Sequence, residues 1–162
     1  MAFGRVLAVV TGDPSDAAVV ERAADLVRSS KGQLVTLYVI RVDRGLPVDA
    51  DVPPAVAKGE DVLRGVEQRV KLPKGDVAAE LLQARELGPA VVQEALVRGV
   101  DAIVVGTSYR REYGSFSLGA DIPYILEHAP CTVMLWREAP ERGGRVAGDG
   151  AAPPPRRRGP RE

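Results

Sequence analysis

The sequence predicts a doubly wound α/β fold, with five parallel strands in the order 3-2-1-4-5 and helices on both faces of the sheet. Short runs rich in Val, Ile and Leu alternate along the chain with stretches of helical spacing, an order that calls for right-handed crossovers between parallel neighbours. The runs are apolar at consecutive positions, as strands covered on both faces are. Clusters of Gly, Pro and Asp fall between them and set their ends.

Arg5 to Val10 (RVLAVV), bounded by Gly4 and Gly12, is the first and central strand. Thr11-Gly12-Asp13-Pro14-Ser15-Asp16 is dense in turn formers, and either Ser15 or Asp16 can cap a helix beginning at Ala17. Val19, Val20, Ala23, Ala24 and Val27 give that helix one apolar stripe, and Gly32 ends it. Leu34 to Val42 supplies the second strand. Asp43 to Pro54, with three prolines and several acidic residues, is a surface loop.

A second helix starts near Pro54 or Ala55. Val56, Val62, Leu63, Val66, Val70 and Leu72 mark its buried side, Gly59 and Gly65 count against it, and Pro73-Lys74-Gly75 stops it. Asp76 to Arg85 carries alanines and Glu80 that would also suit a helix, but its place between two helices favours strand. Gly88-Pro89 opens a third helix with Val91, Val92, Ala95 and Leu96 facing inward, and Gly99 closes it. Asp101 to Val105 is the fourth strand, running into Gly106. A polar, basic and aromatic loop follows from Thr107 to Ser117, then a helix from Leu118 to Ala129, the stop at Pro130, and a last strand from Cys131 to Trp136.

The composition bounds the function. For 162 residues with 45% hydrophobic content, one ordinary domain is expected, here residues 1–138. Residues 139–162 turn abruptly to Gly, Pro, Ala and Arg and have too little apolar bulk to offset ordering entropy, so a disordered tail is expected. The 22 basic and 22 acidic residues balance, which argues against specific nucleic-acid binding or adsorption to an anionic membrane. The single cysteine, Cys131, fits a reducing compartment. With no long apolar run and no signal-peptide layout at the N-terminus, a cytoplasmic location is expected.

In the strand order proposed, the sheet reverses direction between strands 1 and 4. The crevice there is bounded by the Thr11 to Ser15 loop and the Gly106 to Gly119 loop, and ligands bind at such switch points. A strand feeding a glycine turn and a helix start also presents free N–H groups to an anion.

Over roughly residues 3–137 the chain resembles the universal stress protein family, whose fold is Rossmann-like and akin to that of the adenine nucleotide α-hydrolases. The family's nucleotide loop reads Gly, two residues, Gly, nine residues, Gly, then Ser or Thr. That spacing falls here on Gly106, Tyr109, Gly119 and Ala120, and His128-Ala129-Pro130-Cys131 falls where the family has a similar turn. Two positions depart from the pattern. Tyr109 stands where a glycine lets the backbone approach phosphates, and Ala120 stands where a hydroxyl would donate to them. The resemblance implies adenine beside Thr11, where ATP-binding members carry an aspartate, and beside Val39. The implied site is Thr11, Gly12, Val39, Gly106, Thr107, Tyr109, Arg110, Gly119 and Ala120, holding ATP or another adenine nucleotide with no structural metal.

Each candidate has a plainer reading. Gly106 and Gly119 can simply turn the chain, and Arg110 and Arg111 can be solvated loop residues. Asp121 would bring a negative charge close to any phosphate, and Ser115 or Ser117 could replace the lost hydroxyl. His128, without a second histidine or clustered thiol, suits a helix C-terminus better than a metal. Cys131 suits packing better than reactivity. No Ser-His-Asp arrangement or nucleophile elbow is present, so no catalytic residue is assigned, and slow ATP hydrolysis by an incidental metal and water is left open.

The resemblance therefore implies a regulatory module in stress response or signalling that binds an adenine nucleotide. It also implies a homodimer formed through the Cys131 to Trp136 edge strand. The alternative is a dimeric scaffold of the same fold that has given up the pocket. Arg41 to Pro47 and Gln83 to Ala95 are similar to stress-protein domains that accompany membrane transporters, which implies a transporter as the protein partner.

Overall fold

A computed structural model describes residues 2–109, 111–112 and 114–140. Its strands are β1 (Arg5–Val10), β2 (Gln33–Arg41), β3 (Val77–Ala84), β4 (Ala102–Thr107), β5 (Arg111–Glu112), β6 (Ser115–Phe116) and β7 (Thr132–Arg137). Its helices are α1 (Asp16–Arg28), α2 (Pro53–Glu67), α3 (Leu87–Arg98) and α4 (Asp121–His128). The main sheet has five strands in the order β3-β2-β1-β4-β7, all parallel. This is the predicted 3-2-1-4-5 order, the last strand being numbered seventh because a short antiparallel hairpin, β5-β6, interrupts the expected loop.

Because successive strand residues point to opposite faces, β1 feeds two cores. Val6, Ala8 and Val10 pack with the α1 stripe (Val19, Val20, Ala23, Ala24, Val27) and with Leu63 and Val66 of α2. Leu7 and Val9 pack on the other side with Val91 and Ala95 of α3 and Ile122 and Ile125 of α4. Leu7 is fully buried and is flanked in register by Val35 and Ile103; burial of such a side chain contributes about 1.5–3 kcal/mol. Asp76 to Arg85, ambiguous from its alanines, is a strand over Val77–Ala84.

Several boundaries differ from expectation. Helix α2 ends at Glu67, before Val70 and Leu72. The N–H groups of Arg69 and Val70 donate three residues back, to Val66 and Glu67, and this tightened exit turns Val70 and Leu72 onto the core from outside the helix. Leu96, expected inward, is 60% exposed. One 100° helical step beyond Ala95 carries it past the edge of a stripe defined by Gly88, Val91 and Ala95. Helix α4 starts at Asp121 rather than Leu118, because Gly119 adopts φ +70°, which a helix interior does not accommodate. The last strand begins at Thr132, one residue after Cys131.

Gly59, which argued against α2, is required by it. A Cβ there would lie 2.5 Å from Leu81 Cδ1 and 2.8 Å from Tyr38 Cδ1. The missing side chain lets the helix settle onto β2 and β3. Residues 141–162, expected as part of a disordered tail, lie outside the described residues.

Candidate functional site

The site is built where β1 and β4 part. After Val10 the chain turns through Thr11 and Gly12, the latter at φ +82°. Asp16, expected as a forward cap of α1, reaches backward instead. Its Oδ1 accepts the Thr11 N–H at 3.0 Å and its Oδ2 accepts the Gly12 N–H at 2.7 Å. Ser15 holds the N-cap position without a side-chain cap bond, and its N–H donates to Asp13 Oδ1 at 3.0 Å. Burial is the main influence on the Asp16 carboxyl and pushes its pKa up; the two N–H donors pull it down, and the neighbouring charge of Asp13 adds to the rise.

Across the switch point, β4 runs out at Gly106 and Thr107. A Cβ on Gly106 would stand 2.4 Å from Val19 Cγ2 and 3.0 Å from Ser15 Oγ, so glycine here is what lets the strand end meet the start of α1. Beyond it, Ser108 Oγ donates to Asp13 Oδ1, joining the β1–α1 turn to the β4 loop. Together these elements enclose a crevice of about 290 Å³ lined by Thr11, Asp13, Gly106, Thr107, Ser108, Ser117 and Gly119. A second hollow of about 410 Å³ is lined by Thr11, Tyr38, Val39, Ile40, Arg41, Ala55, Lys58 and Leu87. Thr11 lines both, so the two are lobes of one surface: a polar lobe over β4 and a more apolar one at the end of β2.

The structure therefore brings Thr11, Gly106, Thr107 and Gly119 to one lobe and Thr11 and Val39 to the other. Tyr109 and Ala120 line neither. The Tyr109 ring stacks on Phe116 at 5.8 Å between centroids, with the Arg137 guanidinium 5.1 Å from its own centroid. It thereby pins the β5-β6 hairpin to the end of β7. Ala120 occupies the N-cap position of α4 with no side-chain cap. Of the two serines considered for the lost hydroxyl, Ser117 lines the crevice, and its Oγ accepts the Gly119 N–H at 3.1 Å; Ser115 is exposed on β6. Arg110 lies outside the described residues.

Asp121 does not charge the polar lobe. Its Oδ1 accepts the Gly88 N–H at 3.0 Å and its Oδ2 accepts from Arg41. His128 packs against Tyr124 with ring centroids 4.3 Å apart. Cys131 is partly buried and its thiol pKa is pushed up, first by burial and then by Asp101, which fits packing over reactivity. Among the described residues no group of His, Cys, Asp or Glu could hold a metal ion.

Sequence reasoning missed Asp13, Ser108, Tyr38, Arg41, Lys58 and Leu87 as lining residues. Asp13 and Ser108 sit in the two bounding loops and were legible in principle. Lys58 carried no signal, because its position depends on how closely α2 approaches the sheet. A larger hollow of about 490 Å³ between α1 and the exit of α2 shares no residue with either lobe, and its Arg28 and Asp25 pair with each other.

Residues 2–137 match the model of the universal stress protein family. No match is found among curated protein sequences. Among solved structures the chain is similar to a universal stress protein in complex with cAMP (TM-score 0.67, 18% identity, covering 86% of this chain and 100% of that one). It is also similar to one from Archaeoglobus fulgidus in complex with dAMP (0.64, 14%, 83% and 98%). A third is a family protein from Arabidopsis thaliana with AMP bound (0.58, 18%, 83% and 92%). At these identities the likeness speaks for the fold.

Proposed function

Given that the chain belongs to the universal stress protein family, we propose that it is a regulatory module that binds an adenine nucleotide between β1 and β4 and works as a homodimer. The observation that carries this reading is the two-lobed crevice meeting at Thr11. The lobe by Val39 offers an apolar wall to a base, and the lobe by Gly106 and Gly119 offers backbone and hydroxyl groups to a phosphate, beside an Asp13 carboxylate already hydrogen-bonded by Ser15 and Ser108. Similar folds crystallised with AMP, cAMP and dAMP support the ligand class.

The module acts through a partner rather than by catalysis, and a membrane transporter is the partner class its resemblance implies. Among the described residues no helix is long and apolar enough to cross a membrane. What supports the dimer is β7. Among the described strands it is an edge strand, hydrogen-bonded only to β4, with Leu135 and Trp136 partly exposed. A second copy pairing there would satisfy its free backbone groups.

A second reading, a dimeric scaffold that binds no nucleotide, draws on the Gly119 N–H already held by Ser117 and on the Tyr109 side chain. Native mass spectrometry of freshly purified full chain, followed by calorimetric titration with AMP and ATP, decides between the two. Retained nucleotide or saturable binding supports the first; a dimer mass with neither supports the scaffold.

A further inference from the structure

We infer that Lys58, on α2, is the cation that reads the anionic group of the ligand, so that the site tells a nucleotide from a nucleoside through a helix rather than through the glycine loop. This rests on the nucleotide reading above and deepens it. The ligand class it names is a nucleoside carrying a phosphate close to its ribose.

The placement of Lys58 follows from its neighbour. Gly59 has no side chain, and any Cβ there would collide with Leu81 and Tyr38. That close approach brings the preceding residue over the β1–α1 turn: Lys58 Cε lies 3.9 Å from where a Cβ on Gly12 would stand, and Val62, one helical turn on, lies 3.6 Å from the same point. Lys58 also lines the Val39 lobe, while Thr11, beside Gly12, lines both lobes. Its ammonium is therefore tethered near the seam, where a ligand with its base at Val39 passes its ribose and first phosphate toward Gly106.

The charges around it are otherwise committed. Arg41, the other cation lining the Val39 lobe, is bonded to Asp121. The Asp16 carboxylate is held by the Thr11 and Gly12 N–H groups, and the Asp13 carboxylate by Ser15 and Ser108. No acidic side chain among the described residues forms an ion pair with Lys58, although it faces a turn next to two aspartates. A lysine with no ion-pair partner among the described residues, lining the Val39 lobe and close to the turn where the two lobes meet, supplies the point charge that Tyr109 and Ala120 do not.

The test is calorimetric titration of the full chain with AMP and with adenosine, on the native protein, Lys58→Met and Lys58→Arg, at one fixed low ionic strength. Lys58 is exposed on its helix, and thermal melts confirm that both variants fold. The native chain is expected to bind AMP at least about tenfold more tightly than adenosine, the scale of one hydrogen bond to a charged group. Lys58→Met should bring the two affinities to within about twofold of each other, and Lys58→Arg should keep most of the difference; the ratio of the two affinities is what is read, because Lys58 also lines the base lobe. A native preference for AMP that survives Lys58→Met overturns the role of Lys58 and leaves the nucleotide reading standing. Absence of binding by the native chain to either compound overturns both.

Discussion

The guanidinium of Arg41, at the end of β2, and the carboxylate of Asp121, at the start of α4, form an ion pair that ties the wall of the Val39 lobe to the helix following the Gly119 turn. The same carboxylate accepts the Gly88 N–H at the start of α3. Arg41 is 59% exposed and Asp121 24%, so screening leaves the ion pair itself little net strength. The hydrogen bond from Gly88 contributes more than the ion pair does. Asp121→Ala should therefore destabilise the fold by about 1–2 kcal/mol and Arg41→Ala by under about 1 kcal/mol, as read from urea denaturation. Equal losses from the two variants would show that the ion pair dominates.

Gly106 and Val19 should behave as a coupled pair. Gly106→Ala places a methyl group 2.4 Å from Val19 Cγ2 and should cost about 1–3 kcal/mol through overpacking. Adding Val19→Ala opens the space the methyl needs, so the double variant should be less destabilised than the sum of the singles. Strict additivity in a double-mutant cycle would mean that the clash is relieved by backbone movement instead.

Asp16 predicts a pH dependence with a definite sign. Because its pKa is raised in the fold, chiefly by burial, the stability linked to it is complete below its unfolded value and is lost as pH rises through the folded value. Asp16→Asn removes that titration. The stability of the native chain relative to the variant should accordingly fall as pH is raised from below the ordinary aspartate range to above it. Denaturation midpoints that track each other across this window would sink the assignment.

Restoring the family's loop chemistry should strengthen nucleotide binding. Tyr109→Gly with Ala120→Ser should tighten ATP by about 1–3 kcal/mol, the scale of a recovered hydrogen bond to a charged group. Tyr109→Gly also removes the stack on Phe116, so the hairpin should become more susceptible to limited proteolysis. Calorimetry that finds both proteins silent would favour the scaffold.

The proposed dimer can be broken without touching the core. Val133 packs with the α3/α4 face and Met134 with the α1/α2 face, so Leu135 and Trp136, each 38% exposed, continue those two faces toward solvent. Leu135→Lys with Trp136→Lys puts charge on both sides of the edge strand. Sedimentation should then report a folded monomer, and an undiminished dimer would move the interface to the helices.

The sheet order was legible because apolar runs and turn residues alternate in phase from Arg5 to Trp136, and that pattern depends on local chemistry alone. In the candidate site, Thr11, Gly106 and Gly119 were legible from topology, since they lie at the reversal of strand order wherever their side chains point, and Val39 and Thr107 from the family resemblance. Lys58 and Arg41 enter through helix seating and an ion pair between residues 80 positions apart. Such contacts leave no periodic trace. Gly59 misled for a related reason, since its helix propensity is poor while the close approach it permits is a property of Tyr38 and Leu81.

The backward reach of Asp16 also leaves the entrance short of backbone donors. With the Thr11 and Gly12 N–H groups bonded to one of the chain's own carboxylates, the end of β1 keeps neither of these two donors for a guest. Asp13 lines the neighbouring crevice with a second carboxylate. An anion entering here would therefore depend on a cation or on donors from another element, and the turn after β1 by itself would hold an uncharged group more readily than a charged one.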